Sequence, residues 1–211
     1  MGPAASARNR NRRTFWLKQL RQWHWISSAL SLIGMLAFAV TGITLNHASQ
    51  IEARPVVTTQ ELVLPQELFV KLSNRRPQDG QVLPREIAAW LDRQLSVPIG
   101  AQRAEWSDGD IHVTLSRPGG DAWVSIDRKT GEVLYERTDR GWVAYFNDLH
   151  KGRNAGEAWR WFIDAFAVAC AVFCLTGLFL LQLHAGSRPV TWPIVGFGFV
   201  LPLLLAILFI H

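Results

Sequence analysis

The stretch WISSALSLIGMLAFAVTGITLN, residues 25–46, contains no charged side chain. A helix of that length, rising 1.5 Å per residue, crosses a hydrocarbon core of about 30 Å. Two more stretches read alike: residues 161–184, whose one acid is Asp164, and residues 192–210, which carry no charge. An overall 49% hydrophobic content would also suit a soluble domain, so the clustering of apolar residues carries the assignment. The expected class is a membrane α-helical protein. Its transmembrane helices occupy residues 24–47, 161–184 and 192–211, with an extramembrane α+β domain over residues 48–160. The first stretch is too long for the apolar part of a signal peptide, and Asn46-His47-Ala48 is a poor cleavage site, so it reads as an uncleaved anchor.

Orientation comes from the short flanks. Residues 1–23 carry Arg8, Arg10, Arg12, Arg13, Lys18 and Arg21 without an acid. The positive-inside rule places this tail in the cytoplasm. Arg188, in the 185–191 loop, agrees. The soluble domain is then extracytoplasmic. Much of the net charge of +5 lies in the tail and the intervening domain is nearly neutral, which argues against a nucleic-acid partner. The tail fits a topology signal that also meets anionic lipid heads.

In chain order, residues 1–13 are polar and read as disordered. Residues 14–24 mix Phe15, Trp16, Trp23 and bases, an interfacial pattern. Ser27, Ser28, Ser31, Gly34 and Gly42 allow close approach of a helix or a flat cofactor, with Ser28 and Ser31 on the face of His24. Residues 48–80 are poorly periodic apart from a short helix at 66–72. Pro84 opens a helix with apolar Ile87, Ala88, Trp90, Leu91 and Leu95, ended by Pro98 and Gly100. Short strands follow at 103–106, 111–116, 122–127 and 133–137, joined by turn sequences of hairpin length. The expected domain is a helix on a small antiparallel sheet. Residues 141–151 are aromatic and interfacial, and Gly152 and Gly156 form a corner into the second span. Pro193, Gly196, Gly198 and Pro202 predict a kinked third span. Cys170 and Cys174, four apart in the second span, share a face and read as small apolar packing residues.

Residues 124–134, VSIDRKTGEVL, resemble the closing hairpin of the PepSY domain: an apolar strand, Asp, a turn with Thr-Gly-Glu, then another apolar strand. Thr41-Gly42-Ile43-Thr44-Leu45-Asn46-His47, Leu149-His150-Lys151-Gly152 and Thr176-Gly177-Leu178 extend the likeness. The chain is similar to PepSY-associated transmembrane proteins. Larger relatives in that group include bacterial inner-membrane ferrisiderophore reductases that carry haem b. The resemblance implies an inner-membrane location, a periplasmic PepSY-like domain and iron-uptake redox chemistry.

Four of the six histidines sit at the ends of the first two spans. Neutral imidazole suits haem iron. His24 and His184 are cytoplasmic by the topology above, and His47 and His150 are periplasmic. They are the expected axial ligands of two haems, one on each side. His24 and His47 lie about 34 Å apart on a straight helix and cannot share an iron. They also differ by roughly 140° in azimuth. A helix break near His47, delivery of His150 from a loop, or a homodimer with ligands from two chains would relieve that mismatch. His112 reads as a surface residue and His211 as a weaker exterior ligand. The plain alternative is that all four are interfacial side chains.

The expected function is electron transfer from the cytoplasmic side or the quinol pool to a periplasmic acceptor such as a ferric siderophore. No Gly-x-Gly-x-x-Gly follows a strand, so a nicotinamide or flavin would belong to a partner. No catalytic nucleophile–base set is present, and any enzymatic activity would be ferric-chelate reduction by the cofactor. The alternative is a non-catalytic PepSY module that restrains a peptidase or docks a partner. Three spans with almost no buried charge make a transporter the weakest option.

Overall fold

The computed structural model describes residues 3–52, 54–74 and 80–210, with side chains from residue 11 onward. His211 lies outside the described residues. The chain divides into two compact units, residues 1–37 with 163–211, and residues 38–162.

In the first unit, α1 (Pro3–Asn46) enters from the N-terminus, α5 (Gly156–His184) returns, and α6 (Thr191–Phe209) follows a short 3₁₀ turn at Ala185–Ser187. Among the described residues, three helices are long and apolar enough to cross a membrane: Asn11–Asn46, Gly156–Ser187 and Thr191–Phe209, whose apolar 18-residue stretches have mean hydropathies of 2.0, 2.3 and 2.3. The helix starts earlier than expected, since residues 3–13 are helical and not irregular. Arg and Asn are tolerated in a helix, and polar composition alone does not prevent one. α6 stays helical through Pro202. Cys170 is half-buried, whereas Cys174 is exposed on α5.

α1 faces α5 through small side chains. Ser27 and Ser31 are buried, and Gly34 meets Phe166 so closely that a Cβ there would lie 2.3 Å from the ring. His24, Ser27, Ser31 and Gly34 recur at spacings of three and four, one seam of the helix. Ser27 Oγ donates to the Trp23 carbonyl at 2.7 Å and Ser31 Oγ to the Ser27 carbonyl at 2.6 Å. Their polar atoms are thus satisfied inside their own helix. Ser28, expected on this face, is only half-buried.

The second unit holds the α+β domain. Its elements are β1 (Val56–Val63), α2 (Gln66–Ser73), α3 (Arg85–Leu95), β2 (Ala104–Trp106), β3 (Asp110–Thr114), β4 (Gly120–Asp127), β5 (Glu132–Asp139) and α4 (Gly141–His150). The strands form one antiparallel sheet in the order β1-β5-β4-β3-β2. On one face, Ile87, Leu91 and Leu95 of α3 pack with Ile111, Val124 and Ile126 in the core. β4 alternates buried and half-buried residues along its length, as a strand with one covered face should.

The first strand, over residues expected to be irregular, is a correction. β1 pairs with β5 from Val56↔Asp139 to Val63↔Glu132. Seven of its eight residues are exposed, so it lacks the alternation that reveals a strand in sequence. The Thr-Gly-Glu hairpin has a local physical cause. Asp127 Oδ1 accepts the backbone N–H of Lys129 at 2.7 Å and of Thr130 at 2.9 Å, forming an Asx turn. Gly131 adopts φ +77°, and a Cβ there would sit 2.8 Å from the Phe69 ring of α2. Glycine is required twice over at this position.

Candidate functional sites: two histidines against Phe-x-x-Thr-Gly

The first site lies on the α1–α5 pair. His24 is half-buried. Its ring stacks on Phe173, with centroids 4.9 Å apart and planes 16° apart. Its Nδ1 lies 3.0 Å from Thr176 Oγ1. A Cβ on Gly177 would come within 3.3 Å of His24 Cε1, so the absent methyl makes room for the ring. Thr176 Oγ1 is 2.7 Å from the Val172 carbonyl and 3.1 Å from that of Phe173. A hydroxyl has one proton, and the helix carbonyls take it. The threonine oxygen therefore accepts from His24 Nδ1–H, which fixes the tautomer and leaves the Nε2 lone pair available.

The second site lies within the other unit, at α4 and residues 38–46 of α1. His150, the last residue of α4, is half-buried. Its ring lies against Phe38, with centroids 4.7 Å apart, and its Nδ1 is 2.6 Å from Thr41 Oγ1. Gly42 faces His150 Cε1, at 3.8 Å from the Cβ it lacks. Thr41 Oγ1 also lies 3.1 Å from the Phe38 carbonyl, so the same proton argument applies. One turn on, Thr44 Oγ1 lies 2.6 Å from the Asn147 side-chain amide and 2.9 Å from the Thr41 carbonyl, and Asn147 is buried. Thr41 and Thr44, three apart, thus meet His150 and Asn147, also three apart.

Three further contacts aim α4. Asp148 Oδ2 accepts the Gly119 N–H at 2.9 Å. Gly119 has φ +73°, and a Cβ there would lie 2.8 Å from the Tyr145 Cα. Trp159 Nε1 donates to the Leu149 carbonyl at 2.9 Å. The strand-to-strand loop of the sheet and the first turn of α5 therefore both hold the helix that presents His150.

The two environments repeat one pattern: Phe38-x-x-Thr41-Gly42 and Phe173-x-x-Thr176-Gly177, each with a histidine ring over the Thr-Gly pair. Phenylalanine and threonine lie one turn apart and share a helix face. The repeat was visible in the sequence, but nothing local said that each copy receives a histidine from another helix.

The other two expected ligands stand apart. His47 is exposed, with Nδ1 3.0 Å from the Ile43 carbonyl, and His184 is exposed, with Nδ1 2.7 Å from the Leu180 carbonyl. Each is bonded to its own helix, four residues back. His24 sits at the level of Thr176, and His184 lies about 12 Å farther along α5. His150 sits at the level of Thr41, and His47 lies about 9 Å farther along α1. Among the described residues, no hydrogen bond joins His24 to His184 or His47 to His150. His112 is on β3, stacked with Trp123 at 5.4 Å. Among the described residues, no three His, Cys, Asp or Glu side chains gather as a metal site.

An open apolar groove of about 1130 Å³ borders the first site. Trp16, Leu20 and Trp23 of α1 and Val172, Thr176 and Phe179 of α5 line it, with Arg13 as a cation at its wall. Outside the spans, the carboxyl of Asp139 is held below the usual range by the Gly141 N–H and by Arg117.

No curated protein and no solved structure matches this chain. A family model, that of the PepSY_TM-like proteins, matches residues 15–211, nearly the whole length and both histidine sites, and the chain belongs to that family.

Proposed function

We propose that the chain is a haem-b electron-transfer protein of a bacterial inner membrane, with a cytoplasmic N-terminus and a periplasmic PepSY-like domain. It takes electrons from a cytoplasmic reductase or the quinol pool and delivers them to a periplasmic acceptor such as a ferric siderophore. The observation that carries this reading is the state of the imidazoles. His24 and His150 each give Nδ1–H to a threonine, and His47 and His184 each give it to a backbone carbonyl. Iron-ligating histidines are oriented in this way, with Nδ1 engaged and Nε2 offered.

The donor chemistry therefore fits haem at His24 and His150. Haem b, when bound, supplies one-electron chemistry. Phe173 and Phe38 hold the ring planes, Thr176 and Thr41 fix the tautomers, and the glycines admit the rings. The groove beside Thr176 offers apolar walls against which a flat ring would lie. In this proposal His184 would complete the ligand set of His24, and His47 that of His150, from the same chain or from a second copy in a homodimer. The basic tail supports the orientation.

The test is the haem-to-protein ratio and reduced-minus-oxidised spectra of the purified protein and of His24→Ala, His150→Ala, His47→Ala and His184→Ala. Loss of one haem population in His24→Ala and another in His150→Ala is expected. Wild-type protein that takes up no haem, or unchanged content in all four variants, would refute the proposal.

A further inference from the structure

The sheet of the α+β domain covers one face with α3 and leaves the other open. By register and alternation, the open face carries Thr59 and Glu61 from β1, Glu132, Leu134 and Glu136 from β5, Trp123 and Asp127 from β4, and His112 from β3. It is concave, enclosing about 840 Å³, and the charged residues that line the concavity are Glu61, Asp127 and Glu132. Among the described residues, no Lys or Arg lines it. Trp123 and His112, stacked on each other, line the same face.

This face runs out to an edge of unusual character. β1 spans eight residues and pairs only with β5. Along its other side, no backbone hydrogen bond joins it to another strand among the described residues. The opposite edge, β2, has three residues. Long edges are normally blunted by Lys, Pro or a bulge. β1 has none of these, and Val56 and Val63 are 65% and 64% exposed. An extended segment laid along β1 would satisfy its open backbone groups, and alternate side chains would project over the concave face beside Glu61.

Charge selects the occupant. A second β1, whose sequence carries Glu61 as its one charged residue, brings no cation to this face and only adds carboxylates to it. A segment with Lys or Arg at alternate positions would meet Glu61 on β1 and, one strand further in, Glu132 and Glu136 on β5. We infer that β1 and the open sheet face form a docking site for an extended, basic segment of a protein partner, which adds to the sheet as a sixth strand. The Asp127 carboxyl stays ionised to unusually low pH because the Thr130 and Lys129 N–H groups hold it, so the face keeps this charge. The inference does not depend on haem.

The test uses the full chain in an uncharged detergent and a fluorescently labelled eight-residue Lys-Val repeat peptide, read by anisotropy at about 50 mM salt, where surface charges are least screened. Binding is expected. It should weaken about tenfold in the Glu61→Gln/Glu132→Gln double variant and at high salt, as rim carboxylates allow. The same peptide N-methylated at alternate residues, which cannot add as a strand, should also bind less tightly. Any of three results would overturn the inference: no binding of the Lys-Val peptide, equal affinity in a double variant whose circular dichroism is unchanged, or equal affinity for the N-methylated peptide. A Glu-Val peptide that bound as well would also overturn it.

Discussion

Replacing Thr41 with valine keeps the branched side chain and removes one oxygen. That oxygen lies 2.6 Å from His150 Nδ1, in a half-buried contact. Without it the imidazole loses the acceptor that sets its tautomer. The proton can then move to Nε2, and the ring can turn away from Phe38. Removing such a supporting partner costs metal affinity about 10- to 100-fold, or roughly 1.4–2.7 kcal/mol. The protein itself should lose about 0.5–1.5 kcal/mol, the net value of one hydrogen bond. Titration of apoprotein with haemin reads the first quantity, and thermal unfolding in detergent reads the second. Thr176→Val should have the parallel effect through His24, whose contact is 3.0 Å. Thr41→Ser, which restores the hydroxyl, should recover most of the loss. If Thr41→Val binds haemin as tightly as wild type, with an unchanged spectrum, the proposed role of the Thr-Gly pairs is wrong.

Other substitutions probe the scaffold. Gly34→Ala puts a methyl 2.3 Å from the Phe166 ring and should cost about 1–3 kcal/mol in a detergent melt, partly recovered by Phe166→Leu. Gly119→Ala combines φ +73° with a 2.8 Å approach to the Tyr145 backbone, so it should loosen α4, visible as faster amide exchange from residue 141 to residue 150. The Asp127 carboxyl has a folded pKa below its usual 3.8, so it stabilises the sheet above that value and the contribution vanishes as pH falls through the lowered folded pKa. Asp127→Ala should therefore be less stable at neutral pH and lose less between neutral pH and the acid end of a pH series of melts. His112→Ala, on the sheet, should leave haem content at the wild-type level.

The parts of the fold that were legible in the sequence were those with strong periodicity or strong exclusion of charge. The three apolar helices, the α3 face and the alternation of β4 all express burial in their residue order. β1 was not legible because an edge strand with seven exposed residues obeys no inside–outside rule; its pairing is written in β5. The N-terminal helix was missed for a related reason. Polar residues continue a helix already nucleated by an apolar one, and composition does not show continuity. The histidines could be picked out from their positions, yet the sequence suggested pairing by depth alone. Depth is a crude coordinate. A shift of six to eight residues moves a side chain about 9–12 Å along the axis, so His47 and His184 lie beyond the levels of Thr41 and Thr176 at which His150 and His24 are held.

The Thr-Gly pairs explain what depth could not. A histidine in an apolar helix seam needs three things: a hydrogen-bond acceptor, room for a ring, and a flat surface to lie on. Threonine supplies the first without an unsatisfied proton, because its hydroxyl bonds its own helix. The following glycine supplies the second, and phenylalanine one turn earlier supplies the third. None of the three residues is polar enough to disturb a membrane span, so hydropathy reads straight through them. Ser27, Ser31 and Gly34 serve the same economy in the first unit, where small side chains bring α1 and α5 close enough for His24 to reach Thr176. A ring held on three sides presents its Nε2 in one direction, and any ligand must approach along it.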